Sequence, residues 1–315
     1  MPAGLRIGID LGGTKTAGIV LDELGREAYW LRVESPRHDY DATLRMIAEL
    51  VTALAENTHV SPYAPVGIGT PGAISPATGL IKNANSTWLN GRPLLADLER
   101  VLGRPVRIAN DADCFALSEA TDGAGAGAET VFGVIVGTGT GGAIVRERRL
   151  VSGPNAIAGE WGHNMLPWPR DDEWPGPPCY CGRTACIETF LSGPGLERDY
   201  AAATATARGS DGHTLTALEI CRLAEQGDAD ADAAVARYEH RMARGLASVI
   251  NILDPTVIVL GGGMSNVARL YENVPRIWPA FVFSDRVDTR LVRAAHGDSS
   301  GVRGAAWLWQ PDEKP

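Results

Sequence analysis

The chain has 315 residues, of which 44% are hydrophobic and 21% charged, and its net charge is −9. A chain of this length can divide its core between two lobes, because single cores stop growing near roughly 250–300 residues. The acidic balance argues against general binding to nucleic acid or membrane surfaces, since these polyanions call for a basic face. With no apolar run near the roughly 20 residues of a membrane span and no signal-peptide pattern, we expect a cytoplasmic protein that acts on a small molecule.

Two segments share one plan, in which an apolar strand, a glycine-rich break and a second strand follow one another. The first segment covers residues 5–21 with its break at 12–14, and the second covers 130–146 with its break at 137–142. Glycine-rich turns leave backbone N–H groups free to face an anion without a Cβ in the way. One such turn is typical of an ordinary hairpin, whereas two matched copies favour a pair of phosphate-binding turns.

The remaining pattern alternates helices and strands. Residues 66–90 are rich in Gly, Pro and Asn and are predicted to be mostly loop. A glycine triplet, 261–263, separates a predicted strand from a predicted helix that runs through Leu270, an order that suits a nucleotide at a helix N-terminus. Further helices are predicted over 41–56, 94–102, 112–119, 231–253 and the C-terminus, and further strands over 26–33, 106–109 and 256–260.

Three cysteines, Cys179, Cys181 and Cys186, lie within eight positions, and the chain has only two others, Cys114 and Cys221. In a reducing compartment, closely spaced cysteines more often bind metal or perform redox chemistry than form structural disulfides. Zinc prefers four tetrahedral nitrogen or sulfur ligands. The spacing therefore predicts a zinc site that needs a fourth ligand.

Six motifs occur in an order that resembles the ROK family of bacterial sugar kinases and sugar-responsive repressors, part of the actin, hexokinase and Hsp70 fold group. Within that family, the fructokinase, or manno(fructo)kinase, branch is most similar in NANSTWLNGRP (83–93), GEWGHN with LPW (159–168), CYCG with CIETF (179–190) and NILDPTVIVLGGGMSN (251–266). The six motifs are DLGGTKT (10–16), NDADC (110–114), GTGTGG (137–142), GEWGH (159–163), CYCGRTACIE (179–188) and LGGG (260–263).

The resemblance implies a two-lobed α/β fold of the RNase H-like class, with an ATP and sugar cleft between the lobes. The small lobe would contain residues 1–117 and 297–315, and the large lobe would contain 118–296 with the zinc loop. The implied reaction is ATP-dependent phosphorylation of the 6-hydroxyl of fructose, and also of mannose, by a homodimer that uses Mg²⁺. N-acetylglucosamine kinase and glucokinase are alternatives within the family.

A non-catalytic, sugar-responsive regulator is the alternative of another class. Family repressors carry a helix-turn-helix segment before the first glycine turn, but only nine residues precede Asp10 here. Retention of Asp111 and of both phosphate turns also favours an enzyme. Contacts with nucleic acid are therefore not expected.

The family motifs also imply a role for individual residues. Asp111 is the candidate catalytic base, although Asp111 or Asp113 could instead cap the following helix. Lys15 could be an ordinary surface charge, and Glu160 or Glu188 an ordinary surface acid. The implied sugar ligands are Gly72, Asn85, Asn110, Asp111, Glu160, His163 and Glu188. The implied ATP and Mg²⁺ ligands are Asp10, Gly12, Gly13, Thr14, Lys15, Gly137, Thr138, Gly139, Gly261, Gly262 and Gly263.

His163 carries the family's GH motif and would complete a Cys3His zinc set with Cys179, Cys181 and Cys186. Its other ring nitrogen would then be available to the sugar. The family has glycine where this chain has Ala185. If that position needs a positive φ, the loop is strained or adopts a different turn.

Overall fold

The structure is a computed structural model that describes residues 4–61, 63–204 and 214–310. It divides into two compact units. The first comprises the described residues of Met1–Gly127, Arg148–Ala158 and Ala295–Pro315, and the second comprises those of Ala128–Glu147 and Gly159–Ala294. No helix of the described part is long and apolar enough to cross a membrane.

Helices and strands alternate along the chain. The strands are β1 Arg6–Leu11, β2 Lys15–Leu21, β3 Glu27–Glu34, β4 Val66–Thr70, β5 Ala73–Ile74, β6 Ile81–Lys82, β7 Val106–Asn110, β8 Thr130–Val136, β9 Thr140–Arg146, β10 Arg149–Leu150, β11 Val257–Gly261 and β12 Arg290–Arg293. The α-helices are α1 Tyr40–Thr58, α2 Leu94–Leu102, α3 Asp111–Thr121, α4 Ile187–Leu191, α5 Gly193–Ala203, α6 Ala217–Glu225, α7 Ala229–Leu253, α8 Leu270–Ile277 and α9 Ser300–Trp307. Short 3₁₀ helices occur at Thr87–Leu89, Trp161–His163, Asp171–Glu173, Gly263–Asn266, Trp278–Ala280 and Gly297–Ser299.

The first unit is built on a mixed sheet with strand order β3-β2-β1-β4-β7. Strands β1, β2 and β3 pair antiparallel, whereas β1, β4 and β7 run parallel. Helix α1 buries Leu44, Ile47 and Leu54 in the same core cluster as Ile7 and Ile9 of β1. Because side chains alternate along a strand, the position between those two isoleucines faces the other side of the sheet, where α9 packs against β1 and β4.

The prediction of loop over residues 66–90 is wrong for β4, whose five residues are all buried. Glycine at position 67 was counted as a loop signal, but it has a packing role. A Cβ placed there would lie 1.8 Å from the Ala305 carbonyl oxygen of α9. The glycine therefore lets helix and strand approach closely, an effect that propensity alone does not reveal.

The second unit has a four-strand array in the order β9-β8-β11-β12. Strand β8 is antiparallel to β9 and parallel to β11, which in turn is parallel to β12. Its core is centred on the long helix α7, which buries Tyr238, Met242 and Leu246 and packs against α4, α5, α6 and α8. Asp254 adopts a left-handed conformation at the C-cap, and Pro255 follows, so α7 ends where the sequence predicts.

The predicted α/β fold class is confirmed. The boundary predicted after residue 117 falls inside α3, which continues to Thr121. The glycine triplet does not open an α-helix, since only the 3₁₀ turn Gly263–Asn266 follows it and α8 begins at Leu270. The final residues of the predicted 297–315 segment, 311–315, lie outside the described residues.

Candidate functional site

A cavity of about 520 Å³ lies in the first unit and brings together several predicted site residues. The members that sequence analysis identified are Asp10, Gly12, Gly13, Thr14, Asn85 and Asp111. Arg37, Ser86 and Trp88 also line it, and sequence analysis gave them no role. Ser86 and Trp88 stand inside the quoted segment NANSTWLNGRP, so a signal was present for them, whereas Arg37 follows β3 without a motif that marks it.

The sheet places the two cavity acids. Asp10 lies near the end of β1, opposite Gly69 of the parallel strand β4. Asp111 is the first residue of α3 and directly follows β7, which is parallel to β4. Because the carboxyl ends of parallel strands meet at one edge of a sheet, both carboxylates reach the same cavity, the usual place for ligands in such sheets.

Burial, and after it the nearby Asp111 charge, raise the pKa of Asp10 to about 6, although Arg32 opposes part of the shift. Burial also raises the pKa of Asp111, against the effect of hydrogen bonds from the backbone that includes Ala112. The Asp111 carboxylate remains accessible to solvent at the cavity, but protein surrounds it on most sides. Two acids that hold protons more tightly than usual are suited to proton transfer or to binding a cation.

Neither Asp111 nor Asp113 is the N-cap of α3. That position belongs to Asn110, whose side-chain oxygen accepts a 2.6 Å hydrogen bond from the Asp113 backbone N–H. The capping alternative for the two acids is therefore wrong, because the strand-to-helix turn places the preceding amide in the cap geometry. Asn110 itself is not among the residues that line the cavity.

Ser35, which follows β3, holds the first glycine turn. Its hydroxyl donates to the Gly12 carbonyl oxygen at 2.7 Å, and its backbone N–H donates to the Thr14 carbonyl oxygen at 3.0 Å.

Besides Asn110, two other predicted site residues of the first unit lie outside the cavity lining. Lys15 is an exposed residue at the start of β2, and Gly72 has a φ of 76° and packs against the backbone of Lys82 to Ala84.

The second glycine turn, in the second unit, contacts the predicted sugar ligand Glu188. A carboxylate oxygen of Glu188 accepts a 2.9 Å hydrogen bond from the Thr140 backbone N–H. A Cβ at Gly139 would lie 2.6 Å from the same oxygen, so only glycine permits this approach. The structure thereby joins a predicted phosphate-binding turn to a predicted sugar ligand. Gly137 is held by the Gly193 N–H, while Gly261, Gly262 and Gly263 end β11 and begin the 3₁₀ turn.

The four predicted zinc ligands converge in the second unit. One ligand atom from each of His163, Cys179, Cys181 and Cys186 lies within 4.8 Å of the others. The Cys179 sulfur is 3.6 Å from Nδ1 of His163, and the sulfurs of Cys181 and Cys186 are also 3.6 Å apart. Three sulfurs and one imidazole nitrogen at this separation fit a tetrahedral zinc ion.

Ala185 has a φ of 56° and its side chain is buried, so this alanine adopts the left-handed conformation that favours glycine. The strain predicted from the family motif is therefore present, at a cost of about 1–2 kcal/mol for an L-residue. The Ala185 carbonyl and N–H pair with Leu166 and Pro177 respectively. These hydrogen bonds hold the strained residue in place beside Cys186.

The second ring nitrogen of His163, Nε2, contacts a tyrosine side chain. Nε2 lies 3.0 Å from the Tyr180 hydroxyl, and the two rings meet edge to face. A sugar that binds this nitrogen must share it with Tyr180 or displace the tyrosine, which sequence analysis did not predict.

Sequence analysis also gave no role to Trp161, which is buried. Its indole N–H donates to the Gly141 carbonyl oxygen at 3.1 Å. This hydrogen bond anchors the turn between Glu160, an exposed acid, and His163.

Comparison with known proteins identifies the family. A family model described as ROK family matches residues 6–312. The chain belongs to the ROK family. N-acetyl-D-glucosamine kinases are similar to it throughout: that of Yersinia pseudotuberculosis is 39% identical over 305 residues, covering 96% of this chain and 97% of the relative. That of Pasteurella multocida is 39% identical over 310 residues, covering 97% and 99%.

Solved ROK structures share the fold. A ROK hexokinase from Thermus thermophilus has a TM-score of 0.83 and 32% identity, covering 96% of this chain and 97% of that one. A ROK family glucokinase from Streptomyces griseus, solved with glucose and AMPPNP, has a TM-score of 0.74 and 30% identity, covering 97% and 99%. These values confirm the predicted family.

The predicted fructokinase branch is not supported. The curated relatives at 39% identity are N-acetyl-D-glucosamine kinases, and they match over nearly their full length. These relatives contradict the prediction that the substrate is fructose. Several short segments, among them NANSTWLNGRP, indicated that branch, but similarity over the whole chain is broader evidence than short segments.

Proposed function

We propose that this ROK protein is an ATP-dependent kinase that phosphorylates a hydroxyl group of N-acetylglucosamine. The observation that carries the kinase activity is the cavity in which Asp111 lies together with Asp10 and the Gly12 to Thr14 turn. Sugar kinase activity agrees with the family and with its curated relatives. The choice of N-acetylglucosamine rests on the names of relatives that are 39% identical to this chain.

In the proposed mechanism, Asp111 accepts the proton of the sugar hydroxyl as the oxygen attacks the γ-phosphorus of ATP, and the bond from that phosphorus to the β–γ bridging oxygen breaks and releases ADP. Its raised pKa makes it a better proton acceptor than an ordinary aspartate. The backbone N–H groups of Gly12, Gly13 and Thr14 would hold phosphate oxygens on one side, and those of Gly137 to Gly139 would do so from the second unit. Asp10 would help to hold Mg²⁺, which neutralises charge on the phosphate chain when bound.

The metal centre would orient the sugar-binding side chains and would not itself react. Four protein ligands fill a tetrahedral zinc shell, which is typical of a structural site. Glu160, His163 and Glu188 would then contact sugar hydroxyls, with His163 held through Nδ1. Metal analysis of the purified protein should find about one zinc per chain.

The activity test is a coupled assay of ADP release with N-acetylglucosamine, N-acetylmannosamine, glucose, mannose and fructose, each over a full concentration range. We expect the highest kcat/KM for N-acetylglucosamine, by at least about 10²-fold over hexoses without an acetamido group, because a site built to hydrogen-bond a group strongly rejects analogues that lack it. A higher kcat/KM for another sugar would overturn the substrate. Absence of sugar-dependent ADP release with all five would overturn the kinase.

The homodimer, the cytoplasmic location and the lack of nucleic-acid contacts remain predictions from sequence. Sedimentation velocity at micromolar concentration would test the first of these. The cleft between two lobes also remains a prediction.

A further inference from the structure

A buried cluster of charged side chains lies in the second unit, outside the residues assigned above. Glu173, Arg241 and Arg244 have side chains that are 4%, 7% and 1% exposed. One Glu173 oxygen accepts hydrogen bonds from Arg241 at 2.8 Å and from Arg244 at 2.6 Å. The other accepts from the Arg170 backbone N–H at 2.9 Å. All three partners favour the carboxylate over the carboxylic acid.

Three further contacts extend the cluster. Arg241 also donates to Asp199 of α5 at 2.7 Å, and its guanidinium lies over the Phe190 ring at 5.2 Å. Arg244 donates to the Trp168 carbonyl oxygen at 2.5 Å. Both arginines belong to the long core helix α7, whereas Glu173 and Trp168 belong to the irregular segment 164–178.

That segment connects two zinc ligands, because His163 directly precedes it and Cys179 directly follows it. Apart from the short 3₁₀ turn at Asp171–Glu173, it has no regular structure of its own in the described chain. Its two ends are tied to the loop of the other ligands, where Leu166 donates to the Ala185 carbonyl at 2.8 Å and Ala185 donates to the Pro177 carbonyl at 2.9 Å. Its middle is tied to α7 through Glu173 and Trp168.

A buried ion pair is not an efficient way to gain stability alone, since well-packed apolar residues often do as well or better. Such a pair does impose definite directions and distances on the segments that carry it. Two of the three hydrogen bonds to Glu173 come from α7, and they direct its carboxylate toward Arg241 and Arg244 of that helix. The cluster is thus suited to hold the middle of a segment whose two ends must present metal ligands in fixed positions.

We propose that Glu173, held by Arg241 and Arg244, is a positioning residue for the metal centre. It fixes the segment 164–178 so that His163 and Cys179 stay at ligand distance, and it thereby slows the loss of zinc. Its effect on sugar binding rests on the proposed role of His163, whereas its effect on zinc does not depend on the substrate.

The test measures the rate of zinc release from the purified, zinc-loaded protein into excess of a chromogenic chelator at neutral pH. Glu173→Gln keeps the shape of the side chain and removes its charge. We expect release about 10–100-fold faster than from the wild type, the range seen when groups that orient metal ligands are lost.

Glu239→Gln is the matched control. Glu239 lies on α7 and, like Glu173, is 4% exposed; it accepts hydrogen bonds from Arg269 at 2.6 Å and Asn273 at 3.0 Å, which join α7 to α8 and its preceding residue. It should lower the unfolding temperature as Glu173→Gln does, while zinc release stays within about twofold of the wild type, because distant sites act independently. Equal acceleration in both variants would mean general destabilisation and would overturn the proposal.

A milder variant covers the case in which Glu173→Gln does not fold. Asp199→Asn leaves Glu173 paired and weakens the contacts of Asp199 with Arg241 and with Arg237, both on α7. We expect zinc release a few-fold faster, since one of several coupled contacts to Arg241 is weakened. Release at the wild-type rate from Asp199→Asn, or a wild-type protein that binds no zinc, would overturn the proposal.

Sugar kinetics give a second readout. In Glu173→Gln the KM for the sugar should rise several-fold while kcat changes by less than about twofold, because a displaced binding residue weakens ground-state and transition-state binding alike. Faster zinc loss with an unchanged KM would leave the zinc part standing and overturn the proposed contact of His163 with the sugar.

Discussion

Asp10 and Asp111 at the cavity of the first unit and Glu173 in the second unit have pKa values shifted in opposite directions. In the first unit, burial raises the pKa of Asp10 to about 6 and that of Asp111 in the same direction, and Arg32 offsets the Asp10 shift only in part. In the second unit, burial alone would raise the pKa of Glu173, but hydrogen bonds from Arg244, the Arg170 backbone and Arg241 outweigh it and lower the pKa to about 2. Asp10 and Asp111, whose pKa values are raised, line the cavity. Glu173, which is paired with two arginines, holds a segment in place.

Asp111→Asn should give the largest effect in the cavity. Loss of the proton acceptor should lower kcat by about 10²–10⁴-fold, the usual contribution of a general base. Folding stability should not fall, because the charge removed is one that the cavity disfavours. The coupled ADP assay and urea unfolding measure the two effects, with Asp113→Asn in the same helix turn as control. Near-normal turnover of Asp111→Asn would contradict the assignment of the base.

Glu173→Gln should show the opposite balance, with a loss of stability that depends on pH. The folded pKa lies below its usual value, so the stabilisation is present above about pH 4.5 and is lost as pH falls toward 2. We expect Glu173→Gln to be less stable than the wild type by up to about 3 kcal/mol at neutral pH, from about 1.4 kcal/mol per pKa unit. Urea titrations at pH 7, 5 and 3.5 would test this, and a difference that does not shrink in acid would contradict it.

Asp10→Asn should stabilise the free protein at neutral pH. Its folded pKa is raised, so the wild type loses stability as pH rises from about 4 through 6, and the variant does not. We expect a gain of about 1–3 kcal/mol at pH 7.5 that disappears near pH 4, together with loss of activity. Asp97→Asn provides a control of opposite sign, because hydrogen bonds from Arg100 and Tyr40 lower the pKa of Asp97. A variant that is less stable than the wild type at pH 7.5 would refute the cavity description.

Ala185→Gly should have the smallest effect. Glycine relieves the strain of a φ of 56°, worth about 1–2 kcal/mol, but it loses a buried methyl group and gains freedom in the unfolded chain. These terms nearly cancel, so the free energy of unfolding should change by less than about 1 kcal/mol, and zinc release should stay at the wild-type rate. A tenfold change in zinc release would show that the side chain at 185 itself sets the metal geometry.

Much of the candidate site could be predicted from sequence because its signals are local. Cys179, Cys181 and Cys186 are close in the chain, and their spacing alone indicated a metal. The turn at Gly12 to Thr14 directly follows an apolar strand, which indicated a phosphate-binding loop. Asp111 was marked by a strand that runs straight into a helix. In each case, residues within one turn or one strand carry the whole signal.

Other features depended on partners far away in the chain. By sequence alone Gly67 indicates a loop, but in the fold it allows β4 to lie close to Ala305 of α9. Gly139 likewise allows the carboxylate of Glu188 to approach the second glycine turn. The Tyr180 hydroxyl lies at hydrogen-bond distance from the His163 ring nitrogen that was expected to be available to the sugar. Single-residue propensity cannot report such contacts, because it averages over every environment in which a residue type occurs.

The sequence by itself determined the α/β class, the glycine-rich turn before Lys15, the helices with strong apolar periodicity and the close spacing of Cys179, Cys181 and Cys186. Only the tertiary structure decided that the pKa values of Asp10 and Asp111 are raised and that Glu173 is paired with arginines. The arginines that pair with Glu173 lie 68 and 71 positions away on α7, and Asp10 and Asp111 meet because three parallel strands end at one edge. Charge balance is a property of distances in space, and only the folded chain sets those distances.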